Sequence, residues 1–126
     1  MSRKAVTSKK MTSAGPYSPG IDSNGLVFLS GQIPLDQNSG KLMEGDITAQ
    51  TRQCFINSTG VLEAAGLGLD DVEKVTVYLS DMNNFSAMNE EYKKHFSEPY
   101  PARTTIGITS LPLGAKVEIE MIARRK

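Results

Sequence analysis

The chain of 126 residues has the length of one compact domain around a single core, and 39% hydrophobic with 22% charged residues is ordinary for a globular protein. Lysine plus arginine and aspartate plus glutamate both number 14, a balance that speaks against nucleic acid as a partner and leaves no strong repulsion between copies of the chain. A single cysteine, Cys54, and a single histidine, His95, exclude an internal disulfide, a cysteine cage for a metal and a cluster of histidine ligands, and no run is apolar enough to span a membrane.

The basic start, residues 1–10, lacks the apolar core of a secretory signal. The cytoplasm is the expected compartment, with the mitochondrial matrix as the alternative for a protein whose presequence has been removed. Thr12-Ser13-Ala14-Gly15-Pro16-Tyr17-Ser18-Pro19-Gly20 is dense in turn formers and predicts an ordered loop that fixes Tyr17. After an Asn24-Gly25 turn, Leu26 to Ser30 reads as a buried strand stopping at Gly31, where backbone can approach a ligand or another chain closely. Asn38-Ser39-Gly40 marks the next turn, and a short extra strand fits before the first helix.

Asp46 is the expected N-cap of a helix running to about Ala65 and closed by Gly66. Thr51, Cys54, Phe55, Ser58, Val61, Leu62 and Ala65 fall on one stripe of it, a mixture of small and apolar residues suited to packing on a sheet. Val72 to Leu79 alternates as a strand. A second helix from Asn83 or Asn84 carries Phe85, Met88, Tyr92, His95 and Phe96 along one side, and His95 reads as a packing or surface residue. Pro99 and Pro101 end that helix, and Thr104, Thr105 and Ile106 favour a strand. Arg103 therefore stands where irregular chain becomes strand. Its planar fork of donors suits a carboxylate or phosphate, although a surface ion pair is the commoner role for an arginine. Leu111-Pro112-Leu113-Gly114 predicts a turn before a last strand, Val117 to Ala123, with Glu118 and Glu120 on the face opposite Val117, Ile119 and Met121.

These elements make one α+β domain over residues 1–126, a mixed β-sheet with two α-helices on one face. Nothing in the chain remains to cover the other face, so a homo-oligomer is expected. There is no phosphate loop, metal motif or nucleophile–histidine pair. The polar groups available for chemistry are Arg103, Thr105, Glu118, Glu120, Tyr17, Ser30 and the backbone around Gly31. An arginine can hold a carboxylate, a glutamate can activate water and a tyrosine can steer or protonate. Spacing alone favours a solvated strand face for Glu118 and Glu120.

Gly15-Pro16-Tyr17-Ser18, Ser30-Gly31-Gln32-Ile33-Pro34, Val61-Leu62-Glu63-Ala64-Ala65-Gly66, Asp81-Met82 with Phe85 and Met88-Asn89, Pro101-Ala102-Arg103 and Glu118-Ile119-Glu120 together resemble the RidA (YjgF-type) family, in consistent order from about Thr7 to Arg124. The resemblance implies a chorismate-mutase-like fold whose sheets form a central barrel in a homotrimer, with active sites between subunits. It implies a cofactor-free, metal-free deaminase hydrolysing reactive 2-imino acids and their enamine tautomers (2-aminoacrylate, 2-iminopropanoate, 2-iminobutanoate) to 2-oxo acids and ammonia. By the same likeness Arg103, Glu118 and Tyr17 are the catalytic residues, and Arg103, Ser30, Gly31 and Thr105 bind substrate, Arg103 holding its carboxylate. Two positions depart from the family's pattern. Thr105 stands where cysteine is frequent, removing any thiol chemistry, and Pro19 stands where glutamine often follows the Tyr-Ser pair. The competing readings are a single-stranded-RNA endoribonuclease or translation inhibitor, which the balanced charge disfavours, and a non-catalytic carboxylate-binding or chaperone-like trimer.

Overall fold

The computed structural model describes residues 3–7 and 15–126. Six strands form one sheet: β1 (Arg3–Val6), β2 (Gly20–Ser23), β3 (Leu26–Gln32), β4 (Val72–Leu79), β5 (Ala102–Gly107) and β6 (Val117–Arg124). Their spatial order is β1-β2-β3-β6-β4-β5, antiparallel throughout except for the parallel pair β4 and β5. Two helices, α1 (Ile47–Ala64) and α2 (Phe85–Tyr92), complete the expected α+β domain.

The long helix forms as its sequence dictates. Asp46 accepts from the Ala49 amide at 2.9 Å, a cap worth about 1 kcal/mol. At the other end Gly66 takes φ +75°, and the amides of Gly66 and Leu67 return to the carbonyls of Glu63 and Leu62, a Schellman closure. The predicted stripe is buried from Thr51 to Leu62 and packs on β3 and β6 with Val27, Leu29, Val117, Ile119 and Met121. Cys54 is fully buried as a packing residue, its thiol 3.2 Å from the Gln32 carbonyl.

Three differences from the sequence reading have local causes. Strands β1 and β2 carry no strand signal in the sequence. Each has four residues, RKAV and GIDS, too short and too polar to show alternation. What makes β2 a strand is the Asn24-Gly25 turn: both residues have positive φ, 53° and 95°, which matches a two-residue hairpin and pairs β2 with β3. The extra strand before α1 is only a bridge between Leu35 and Leu42. The second helix is shorter than its apolar pattern. It opens as a tight 3-10 turn over Met82–Asn84 that Asp81 caps, and past Tyr92 the amide of His95 bonds to the Tyr92 carbonyl, three residues back. Of the predicted Tyr17 loop, 12–14 lies outside the described residues, as do 1–2 and 8–10 of the basic start.

Two layers of polar anchoring hold the loops around the sheet. Gln50, buried on α1, donates to the Met43 carbonyl and accepts from the Lys116 amide. Asn57 donates to the carbonyls of Ile33 and Leu35, and its own oxygen accepts from Gln53. The chain leaving Gly31 and the chain entering β6 are therefore both fastened to one helix. At the seam between helices, buried Glu91 of α2 takes Arg52 of α1 at 3.0 Å and His95 at 2.7 Å, while the His95 ring stacks on Phe55 at 4.1 Å between centroids. Burial opposes the Glu91 charge, but the Arg52 and His95 hydrogen bonds outweigh it and hold the carboxyl below its ordinary range. His95 is thus a packing residue, as read from its stripe.

Candidate functional site: two half-sites on opposite faces of the sheet

Residues in register across a sheet share a face. Arg103 and Thr105 pair with Val75 and Val77 of β4, so both side chains lie on the helix-backed face at the edge strand β5. The Arg103 guanidinium donates through Nη1 to Oδ1 of Asn89 at 2.7 Å and lies over the Tyr92 ring at 4.6 Å, with Phe85 at 5.6 Å. One edge of the fork is fixed by the amide and its plane is supported by two rings of α2. No carboxylate among the described residues pairs with it. Thr105 lies two residues on, its hydroxyl buried and without a partner among the described residues.

Glu118 faces the other way. On β6 it stands opposite Tyr78, and Glu120 stands opposite Thr76, all on the open face. The Glu118 carboxylate rests directly on Gly31: a Cβ at that glycine would fall 2.2 Å from its Oε2. This is the close approach that a strand stopping at glycine suggested, and a side chain of the same molecule makes it. Burial, and secondly the charge of Glu120, push the Glu118 carboxyl above its ordinary value. The same field reaches through the sheet. Desolvation first, and then the charge of Glu118, drive the Cys54 thiol upward, so that cysteine is inert.

Ser30 precedes Gly31 and is tied to the Tyr17 loop. Its hydroxyl donates to the Ser18 carbonyl at 2.7 Å, and its amide to the Pro19 carbonyl at 2.9 Å. Tyr17 follows a tight turn in which its amide bonds to Gly15, and its side chain is 53% exposed. One chain therefore brings together Ser30, Gly31 and Glu118, with the Tyr17 loop attached, and separately Arg103 and Thr105. It does not bring the two groups together. They lie on opposite faces, with β4 between β6 and β5.

Four contributors carry no site signal of their own in the sequence. Asn89 was visible only as half of a Met88-Asn89 pair; the signal available was an amide next to the buried face of the helix that precedes Arg103. Tyr92 and Phe85 show in the sequence only as members of the apolar stripe of the second helix; Tyr92 is buried and Phe85 packs against the core, and both also carry the guanidinium. Tyr78 shows in the sequence only as one of the residues alternating with Val75, Val77 and Leu79 in β4, and its phenol donates to Oε1 of Glu120.

A six-stranded mixed sheet backed by two helices, with an arginine half-site at one edge and a glutamate half-site on the open face, defines an α+β class of small proteins. Residues 7–125 match the family described as endoribonuclease L-PSP, and the chain belongs to that family, the RidA (YjgF-type) proteins. It is 48% identical to a RutC family protein of Pyrococcus horikoshii, over 89% of each chain. It is 40% identical to a 2-iminobutanoate/2-iminopropanoate deaminase of Salmonella typhimurium, over 100% of both. Among solved structures, a protein of unknown function of the Rid family from Yersinia pestis superposes with a TM-score of 0.93 at 40% identity, covering 97% of this chain and 98% of that one.

Proposed function

We propose that this protein is a deaminase hydrolysing small reactive 2-imino acids and their enamine tautomers to 2-oxo acids and ammonia, as a homotrimer in which the helix-backed edge of one subunit meets the open face of the next. The observation that carries this reading is the Arg103 guanidinium: fixed by Asn89 and two rings, with no carboxylate of the described residues on it, it is prepared for a carboxylate that the chain does not supply. A second copy that covers the open face would bring a Glu118–Gly31 half-site to it. Phe28 and Ile106, 41% and 42% exposed, and Leu113, 70% exposed, are apolar surface such an assembly would bury.

The reaction asks for little more. The carbon of a protonated imine is already electrophilic. Arg103 binds the substrate carboxylate bidentately and orients that carbon. Glu118 takes a proton from water as its oxygen bonds to the carbon, giving a carbinolamine. A proton passes to nitrogen, the carbon–nitrogen bond breaks, and ammonia departs as the carbonyl forms. Ser30, whose hydroxyl hydrogen is engaged by Ser18, retains acceptor lone pairs for ammonium, and Tyr17 supplies an exposed phenol on the attached loop.

The test is release of ammonia and 2-oxo acid from freshly generated 2-aminoacrylate and 2-iminopropanoate, beside cleavage of a single-stranded RNA. Acceleration of imine hydrolysis without RNA cleavage is the expected result. RNA cleavage with no acceleration of hydrolysis replaces this reading by the nuclease one, and neither activity leaves a carboxylate-binding protein.

A further inference from the structure

Beside Glu118 lies a second acid–phenol arrangement that the proposed reaction does not use. Tyr78 stands directly opposite Glu118 in the β4–β6 ladder, yet its phenol reaches past that residue to donate to Oε1 of Glu120. Glu120 is two residues along the same strand, hence on the same face as Glu118. Of the neighbouring elements, β4 also presents Lys74 on this face, engaged at 2.7 Å by the Thr104 hydroxyl of β5. Strand β3 presents uncharged Phe28, Ser30 and Gly31, and α1 contributes the buried Cys54 thiol behind the sheet. Along its own chain Glu118 is flanked two residues away by Lys116, whose Nζ donates to the Gly45 carbonyl at 3.1 Å, and by Glu120, which a phenol holds.

We propose that Tyr78 and Glu120 form a positioning pair for Glu118: the phenol fixes the Glu120 carboxylate across the strands, and that fixed negative charge governs when Glu118 gives up its proton. Neither residue touches the reacting atoms. The hydrogen bond to Glu120, with burial, pushes the Tyr78 phenol up to about 12, so it remains a donor throughout the neutral range. The pair's consequence for catalysis rests on Glu118 being the base proposed above; its effect on the Glu118 proton does not.

Two substitutions act in opposite directions. Glu120→Gln removes the charge while its amide oxygen can still accept from the phenol, so Glu118 ionises at lower pH. Tyr78→Phe removes the donor that partly neutralises Glu120, so the repulsion on Glu118 grows and its ionisation moves to higher pH. The experiment is a carbon-13 NMR titration of the full-length protein carrying glutamate labelled at its carboxyl, with the Glu118 resonance assigned through Glu118→Gln. Oligomer size and melting temperature are measured for each variant. A lower Glu118 midpoint in Glu120→Gln and a higher one in Tyr78→Phe is the expected result, mirrored in the acid limb of kcat/KM for imine hydrolysis. If Tyr78→Phe does not fold, the direction of Glu120→Gln decides alone. An unchanged midpoint, or displacement of both variants in one direction, overturns the pair. Wild type without imine hydrolysis overturns the proposed function instead, and the titration still decides the pair.

Discussion

The two faces of the sheet are built from the same strands yet do opposite things with charge. On the helix-backed face Arg103 is held from every side: an amide fixes one nitrogen, Tyr92 and Phe85 support its plane, and α2 is itself anchored to α1 through Glu91 and Arg52. On the open face Glu118 lies on a glycine with another carboxylate beside it, and it is pushed toward its protonated form. One face presents a prepared cation, the other a reluctant anion. Strand alternation deals them to opposite sides and prevents them from neutralising each other within a chain. In the trimer proposed above, association of subunits would place both on one substrate.

The largest effect expected from breaking that separation is a rescue. Arg103→Ala and Glu118→Gln should each fall to near background. Refolded together at equal ratio they should regain about a quarter of wild-type deamination, because random assortment leaves that share of inter-subunit sites with both residues intact. No recovery in mixtures shown to exchange subunits would mean the two half-sites do not work across an interface. Next, Glu118→Gln alone is expected to lower turnover by about 10²–10⁴-fold, the usual contribution of a general base, and Glu120→Gln far less at neutral pH. Equal losses in steady-state rates would remove the distinction between the two glutamates.

Arg103→Lys keeps the charge but loses the fork. A charge-assisted hydrogen bond is worth roughly 1.5–3 kcal/mol, so kcat/KM should fall by about one to two decades with the melting temperature unchanged. Near-wild-type rates for lysine would show that charge alone suffices. Asn89→Ala should be milder, a loss of about one decade carried mainly by KM as the guanidinium loses its fixed edge. A change in kcat only would place Asn89 in another role.

The smallest effect concerns pH. With Glu118 as the base proposed above, which must be ionised to accept a proton and whose carboxyl is raised, activity should fall with acidification through a midpoint above the ordinary glutamate range. Glu91 has the opposite sign: its carboxyl is lowered in the folded chain, so its contribution to stability is present above the unfolded-state value and lost as pH falls through the folded one. Glu91→Gln should therefore lower the melting temperature at neutral pH and narrow the gap as the pH is taken down. A gap that stays constant with pH would assign Glu91 to packing.

Much of this is legible along the chain because its causes are local. Asp46 and Gly66 announce the ends of α1 through backbone hydrogen bonds within a few residues of themselves. The alternation of Val117 to Ala123 assigns Glu118 and Glu120 to one face without any knowledge of neighbours, and Asn24-Gly25 contains its turn outright. The family motifs likewise name Arg103, Glu118, Ser30, Gly31 and Tyr17.

What the tertiary structure alone decides is which residues face each other. In β5 the apolar pattern points the wrong way: Ile106 looks like the core residue and Arg103 with Thr105 the solvent side, yet Ile106 is 42% exposed and Arg103 lies against α2. The register with β4 settles it, and register depends on contacts some thirty residues apart that no local propensity encodes. Asn89 on Arg103, Tyr78 on Glu120 and Glu118 on Gly31 are of the same kind. Each side chain has an ordinary role where it stands in the sequence, and acquires its chemistry from a neighbour that only folding supplies.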